Sequence, residues 1–218
     1  MQTFATAAPI SAVLDVPAGL VRFIAADRTD TTVEVLPADA AKRRDVKAAE
    51  RTAVDYRDGV LRIQAPTGSQ AFGPSGFIEV TVQLPAGSRV QAKAASADLR
   101  GVGRLGEVTL EGSHGAVELE EAGSLRVTTH AGDVAIGRLT GPAEISTGKG
   151  DIRIAEAVRG RVVLRTGSGD VTIAAGVSAS LDAGTTLGRI HNTLKNTGAT
   201  ELDIHATTDH GDITARGL

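Results

Sequence analysis

Five aspartates recur at equivalent places along the chain: Asp98, Asp133, Asp151, Asp170 and Asp212. A column of stacked carboxylates can do one of two things. It can bind calcium, which takes about six to eight oxygen ligands, or each carboxylate can accept a hydrogen bond from nearby backbone N–H groups at a turn. Ala116 and Arg189 interrupt the column, and the dense Gly-Gly-x-Gly-x-Asp pattern of calcium-binding nonapeptide repeats is missing. The corner hydrogen bond is the better reading, and no metal site is expected.

A parallel column of threonines, Thr129, Thr147, Thr166, Thr185 and Thr208, reads as a hydroxyl ladder at the same turn. A flat ice-binding array would need more even spacing. The histidines His114, His130, His191, His205 and His210 form no i, i+4 helical pair of the kind that holds zinc. None is grouped in the sequence with a nucleophile and a carboxylate, and no serine sits in a Gly-x-Ser-x-Gly elbow. The phrase Gly101-Val102-Gly103-Arg104-Leu105-Gly106 has dinucleotide-fingerprint spacing, but a strand follows it where the fingerprint needs a helix N-terminus. Gly148-Lys149-Gly150 lacks the hydroxyl and helix of a phosphate loop. The basic run Lys42 to Arg51 contains Asp45 and Glu50 and no aromatic, so it reads as a solvated helix face. Many parallel β-helices cleave polysaccharide with paired carboxylates and aromatic platforms. Corner aspartates could supply the first, but no aromatic follows residue 77. No catalytic or cofactor-binding residue is assigned.

The elements that carry these residues are repeats. Thr-x-x-Gly-Asp-(Val/Ile) occurs at Thr129–Val134, Thr147–Ile152, Thr166–Val171 and Thr208–Ile213, with a variant at Thr185–Ile190 and degenerate copies at Gly115 and Ala97. With the Gly position as origin, the steps between copies are 18, 17, 18, 19, 19 and 23 residues. Two positions after the origin stand Leu99, Val117, Val134, Ile152, Val171, Ile190 and Ile213. Five before it stand Ala92, Leu110, Val127, Ile145, Leu164, Ala183 and Ala206, and seven before it Val90, Val108, Leu125, Ala143, Val162, Leu181 and Ile204. Polar residues alternate with these, so each repeat predicts two short strands with one buried face each. The inward parity switches between them, which makes the Thr-x-x-Gly-Asp segment a corner, where Gly can take a positive φ. A third inward point is expected at Leu105, Leu139, Val158, Val177 and Leu194.

Three inward points in about 18 residues fit a narrow coil whose layers stack roughly 4.8 Å apart. The expected fold is all-β: a parallel β-helix-like solenoid of about seven repeats over 88–218, with a less regular β-rich cap and extra layers over 1–87, the whole forming one continuous domain. An antiparallel β-roll or sandwich is the alternative. Within 1–87, strands are expected at Ile10–Val16, Leu20–Ala25, Thr32–Leu36, Val60–Ile63 and Phe77–Leu84, a short helix within Ala38–Thr52, and a mobile loop over Gln64–Gly76. A further loop is expected near Lys195, at the longest step.

Composition agrees with such a stack. Of 218 residues, 26 are glycine and five are aromatic, so the core after residue 77 is aliphatic. There is no cysteine, which excludes disulfides and thiolate chemistry. The net charge of -3 argues against broad binding to nucleic acid or anionic lipid. Met1–Pro9 has no basic residue and leads into no apolar run, and no stretch approaches the roughly 18 apolar residues of a membrane span. The expectation is a cytoplasmic protein without a small-molecule substrate.

The Thr-x-x-Gly-Asp-(Val/Ile)-x-(Val/Ile) repeat, with phrases such as Gly150-Asp151-Ile152-Arg153-Ile154, resembles the bacterial β-strand-repeat family labelled "putative adhesin". The resemblance implies a β-helical fold and leaves function open. The expected role is a non-enzymatic structural or protein-interaction scaffold, the alternative a surface-associated adhesin or glycan-binding module. The last repeat, Ile204–Ala215, is followed by only three residues. It is therefore expected to end the stack with an unpaired edge, and to meet a protein partner or a second copy there.

Overall fold

The computed structural model describes residues 1–66 and 76–218. Most of the expected loop at Gln64–Gly76, with Phe72, lies outside the described residues. Among the described residues the regular structure is β-strand apart from one short helix, and the chain divides into two compact units, Met1–Gly115 and Ala116–Leu218. No helix among the described residues is long and apolar enough to cross a membrane.

The first unit contains β1 (Gln2–Ala5), β2 (Ser11–Ala26), β3 (Asp30–Pro37), α1 (Arg43–Arg51), β4 (Ala53–Arg57), β5 (Val60–Gln64), β6 (Ile78–Pro85) and β7 (Arg89–His114). β2 is a whole rung bent at Gly19, whose φ is +142° and where a Cβ would run into the Ile78 backbone. On one side β2 pairs in parallel with β7 along its length. On the other, its first half pairs in parallel with β5 and its second half with β6. The next strands out are antiparallel: β4 on β5, β3 on β6, and β1 on β3. Antiparallel additions end the coil, and the rings of Phe4 on β1 and Tyr56 on β4 meet at 5.4 Å. The hairpin of β4 and β5 turns at Asp58-Gly59, both at positive φ (52° and 78°), as a tight turn of this kind requires. α1 falls inside the expected helical segment and packs on β3 and β6. Its Asp45 is 2% exposed and accepts a hydrogen bond from Phe77 N–H at 3.0 Å.

The second unit is the regular stack. One face is formed by the later part of β8 (Val117–Ala131), then β10 (Ala143–Lys149) and β12 (Gly160–Ser168); the other by the early part of β8, then β9 (Val134–Leu139), β11 (Ile152–Ala157) and β13 (Val171–Ala175). All of these pairings are parallel, and apart from one shift between β11 and β13 they are in register. Val134 lies opposite Ile152, Ile152 opposite Val171, and Val171 opposite Ile213, and all four are buried, as the sequence columns predict for a coil. The third inward point is buried as expected at Leu105 and Leu139 but departs from the expectation further along. Ala122, Leu139, Ala157 and Ala175 stack there, while Val158 and Val177 are half-buried. Between β11 and β13 the register shifts by one residue from Ile154 to Ala157, which sets Ala175 rather than Gly176 opposite Ala157.

The order of the last rungs also needs correction. β14 (Ala179–Leu187) and β15 (Ile190–Thr193) precede β16 (Leu202–His210) and β17 (Ile213–Gly217) in the chain. In space β16 lies between β12 and β14, and β17 between β13 and β15. The C-terminal rung is therefore paired on both sides, and it is β14 and β15 that have one parallel neighbour each among the described residues. Skipping a rung takes the chain about 10 Å along the stack, within reach of Gly176, Val177 and Ser178. The segment after β15, where Leu194 N–H donates to Asn192 at the end of the strand and Gly198 N–H to Asn196, brings the chain back into the vacant layer.

Candidate functional site

At each corner of the second unit the Gly-Asp pair is fixed from both sides. Gly132, Gly150, Gly169 and Gly211 have φ between 139° and 150°. A Cβ on Gly150, Gly169 or Gly211 would strike the glycine carbonyl of the rung before it in space. The threonine three residues earlier points inward and donates to that same carbonyl: Thr166 to Gly150 at 2.9 Å, Thr208 to Gly169 at 3.0 Å, Thr185 to Gly211 at 3.0 Å. Thr147, Thr166 and Thr208 are buried, so the column is an internal hydroxyl ladder.

The aspartates run the other way. Asp133 accepts from Asp151 N–H (2.8 Å), Asp151 from Asp170 N–H (2.9 Å), Asp170 from Asp212 N–H (2.8 Å), and Asp212 from Arg189 N–H (2.8 Å). Each carboxylate thus holds the next rung. Arg189, which interrupts the column in the sequence, ends it in space. Among the described residues no further rung follows it, and its guanidinium lies 3.2 Å from the Asp212 carboxylate. Asp170→Ala is expected to cost about 1 kcal/mol, the net value of one partly solvated hydrogen bond, without loss of the fold. A denaturant titration checks this, and a loss several times larger would mean that the carboxylate carries more than the ladder.

A second polar cluster was not read from the sequence. On the outer face of β12, β16 and β14, Asp203 accepts from the Ser180 hydroxyl (2.9 Å) and contacts His205 Nε2 (3.1 Å), with Arg161 at 4.0 Å. The other ring nitrogen of His205 meets Asp182 at 3.2 Å. The Ser180 hydrogen bond and then the His205 contact hold the Asp203 carboxyl below its ordinary range. Asp203 stands between Ser180 and His205, so this serine, aspartate and histidine lack the serine-to-histidine contact of a hydrolytic triad. A shallow depression beside them is lined by Arg161, Val163, Arg165, Asp182, His205 and Thr207. Among the described residues no group of three or more His, Cys, Asp or Glu side chains is arranged to hold a metal ion. The signal was present in the alternation, since Asp182 and His205 occupy the same outward column and so do Arg161, Ser180 and Asp203. It was hidden because rung order and chain order differ.

The remaining candidates are explained by packing. The segment 101–106 lies within β7 and continues as strand; its Gly103 and Gly106 pass against the Ala25 and Gly87 carbonyls. Gly148 passes close to the His130 carbonyl. The basic residues Arg43, Arg44, Lys47 and Arg51 form the exposed face of α1.

In the second unit, what stays uncovered among the described residues is the β14–β15 rung. Leu187 is 62% and Ile190 46% exposed, and Leu181 and Leu194 are partly so. β14 has nine residues with no proline and no basic side chain, and its single charge, Asp182, is engaged by His205.

Residues 13–217 match the model of a family described as Toastrack DUF4097. A crystal structure of a "putative adhesin" from Bacteroides fragilis is similar at 11% identity and a TM-score of 0.52, covering 98% of this chain and 95% of that one. A "putative cell adhesion protein" from Clostridium sporogenes is similar at 12% identity and 0.44, covering 100% and 98%. A "putative lipid binding protein" from Parabacteroides distasonis is similar at 10% and 0.40, covering 98% and 95%. A search of curated proteins found no match.

Proposed function

The chain belongs to the Toastrack DUF4097 family, and on that premise we propose that it is a non-enzymatic scaffold that engages another protein through its uncovered rung, β14 and β15. One observation carries the reading. A nine-residue strand with one ladder of neighbours presents unpaired N–H and C=O groups, and none of the usual protections (proline, lysine, shortness) blunts it. Exposed edges of this kind take up a strand from a partner, with main-chain bonds supplying affinity. Leu187 and Ile190 add apolar surface beside the edge. The polar cluster on β16 supports a structural role, because its members are spent on one another across β12, β16 and β14.

Site-specific photo-crosslinking in the living cell tests the proposal. A crosslinker at Thr186 on β14 or His191 on β15 is expected to trap the same protein from both positions. One at Thr128, an exposed residue of β8, is expected not to trap it. Absence of adducts at 186 and 191, or adducts identical to those at 128, overturns it.

A further inference from the structure

We propose that the occupant of this edge is a second copy of the chain, joined by antiparallel pairing of β14 with β14 about a two-fold axis through Ala183. This rests on the reading of β14 and β15 as a docking edge and goes on to name the partner.

Parity sets the allowed registers. Along β14 the core-facing residues are Leu181, Ala183 and Thr185, and the outward ones Ser180, Asp182, Gly184 and Thr186, as the pairing with buried Ile204, Ala206 and Thr208 fixes. Directly opposed residues in an antiparallel pair point to the same side of the sheet. Keeping both cores on one side therefore requires the axis to pass through a residue. An axis at Ala183 pairs the whole strand, Ala179 with Leu187 through to Leu187 with Ala179. It sets Asp182 opposite Gly184, where a Cβ would meet nothing within 4 Å. An axis at Asp182 would oppose two carboxylates, which is unfavourable. An axis at Gly184 would leave Ala179 and Ser180 without strand partners.

Strand length favours self-pairing over head-to-tail stacking. β1 and β4 also pair on one side among the described residues, but they are four and five residues long, and β4 carries the ion pair Arg57–Asp55 at 3.3 Å. β14 is matched in length by itself. An isologous contact uses up the edge on both copies and stops there.

Gly184 provides the test, since it is exposed, is not at positive φ and has open space around it. Light scattering across a concentration series, on the intact purified chain, is expected to show a dimer. Gly184→Asp sets two like-charge pairs against Asp182 and should weaken dimerisation about tenfold or more. Gly184→Lys sets two opposite-charge pairs there and should hold or tighten it. Melting curves verify that both variants fold. A wild-type chain that stays monomeric overturns self-pairing. The docking reading then stands or falls separately, by whether residues 186 and 191 crosslink to a different protein. A dimer indifferent to both variants, or weakened equally by both, overturns the register.

Discussion

Ile152→Asp is expected to leave the chain without a stable second unit. Ile152 is 0% exposed and stacks between Val134 and Val171 in parallel register, with aliphatic residues above and below. Losing the isoleucine alone costs about 2–5 kcal/mol. The carboxylate adds the cost of a buried charge with no cation facing it, because every neighbour in that column is Val or Ile. The sum, about 5 kcal/mol or more, rivals the roughly 5–15 kcal/mol that holds a whole domain together. Loss of the cooperative thermal transition is the expected readout. An unchanged melting temperature would contradict the burial of the column.

Gly169→Ala is expected to cost about 3 kcal/mol for the addition of one methyl group. The residue sits at φ +150°, and its Cβ would collide with the carbonyl of Gly150, which Thr166 also uses as an acceptor. Backbone strain in such regions is worth roughly 1–3 kcal/mol, and the carbonyl cannot move without breaking the threonine bond. The same substitution at Gly184 serves as the control. That position has neither positive φ nor a contact, so Ala there should be neutral or stabilise by up to about 1 kcal/mol through the unfolded chain. Denaturant midpoints for the two variants should move apart. If they shift alike, the corner glycines are not held by close approach.

The sequence revealed the coil because alternation and a fixed step put Val134, Ile152 and Val171 in one column, and a parallel stack is the arrangement that buries such a column in register. β2, β3, β5 and β6 were legible for the same reason. β1 and β4 were not read, since Gln2–Ala5 and Ala53–Arg57 are short and bury little. Stacking order could not follow from periodicity, because a rung fits any vacancy of the same shape. Two local signs did point to it: the 23-residue step, longer than needed for one layer, and Arg189, an arginine where a carboxylate would have had no rung left to hold. The cluster around His205 stayed hidden with it, because Asp203 reaches both Arg161 and Ser180 only when β16 lies between β12 and β14.

Placing β16 and β17 inside the stack has a consequence for the order in which contacts can form. From β9 to β13 each strand finds a neighbour already synthesised. β14 and β15 do not, for their partners β16 and β17 lie downstream. Until those partners arrive, β12 and β13 offer β14 and β15 a competing layer with the same apolar columns. The 17 residues from Leu202 to Leu218 then choose between two stackings of one sequence. Their advantage is chemical. The Asp212 carboxylate accepts from Arg189 N–H, Asp212 N–H donates to the Asp170 carboxylate, and Asp203 joins Arg161 to Ser180. The polar bonds of Asp203 and Asp212 thus favour the observed rung order over the competing one.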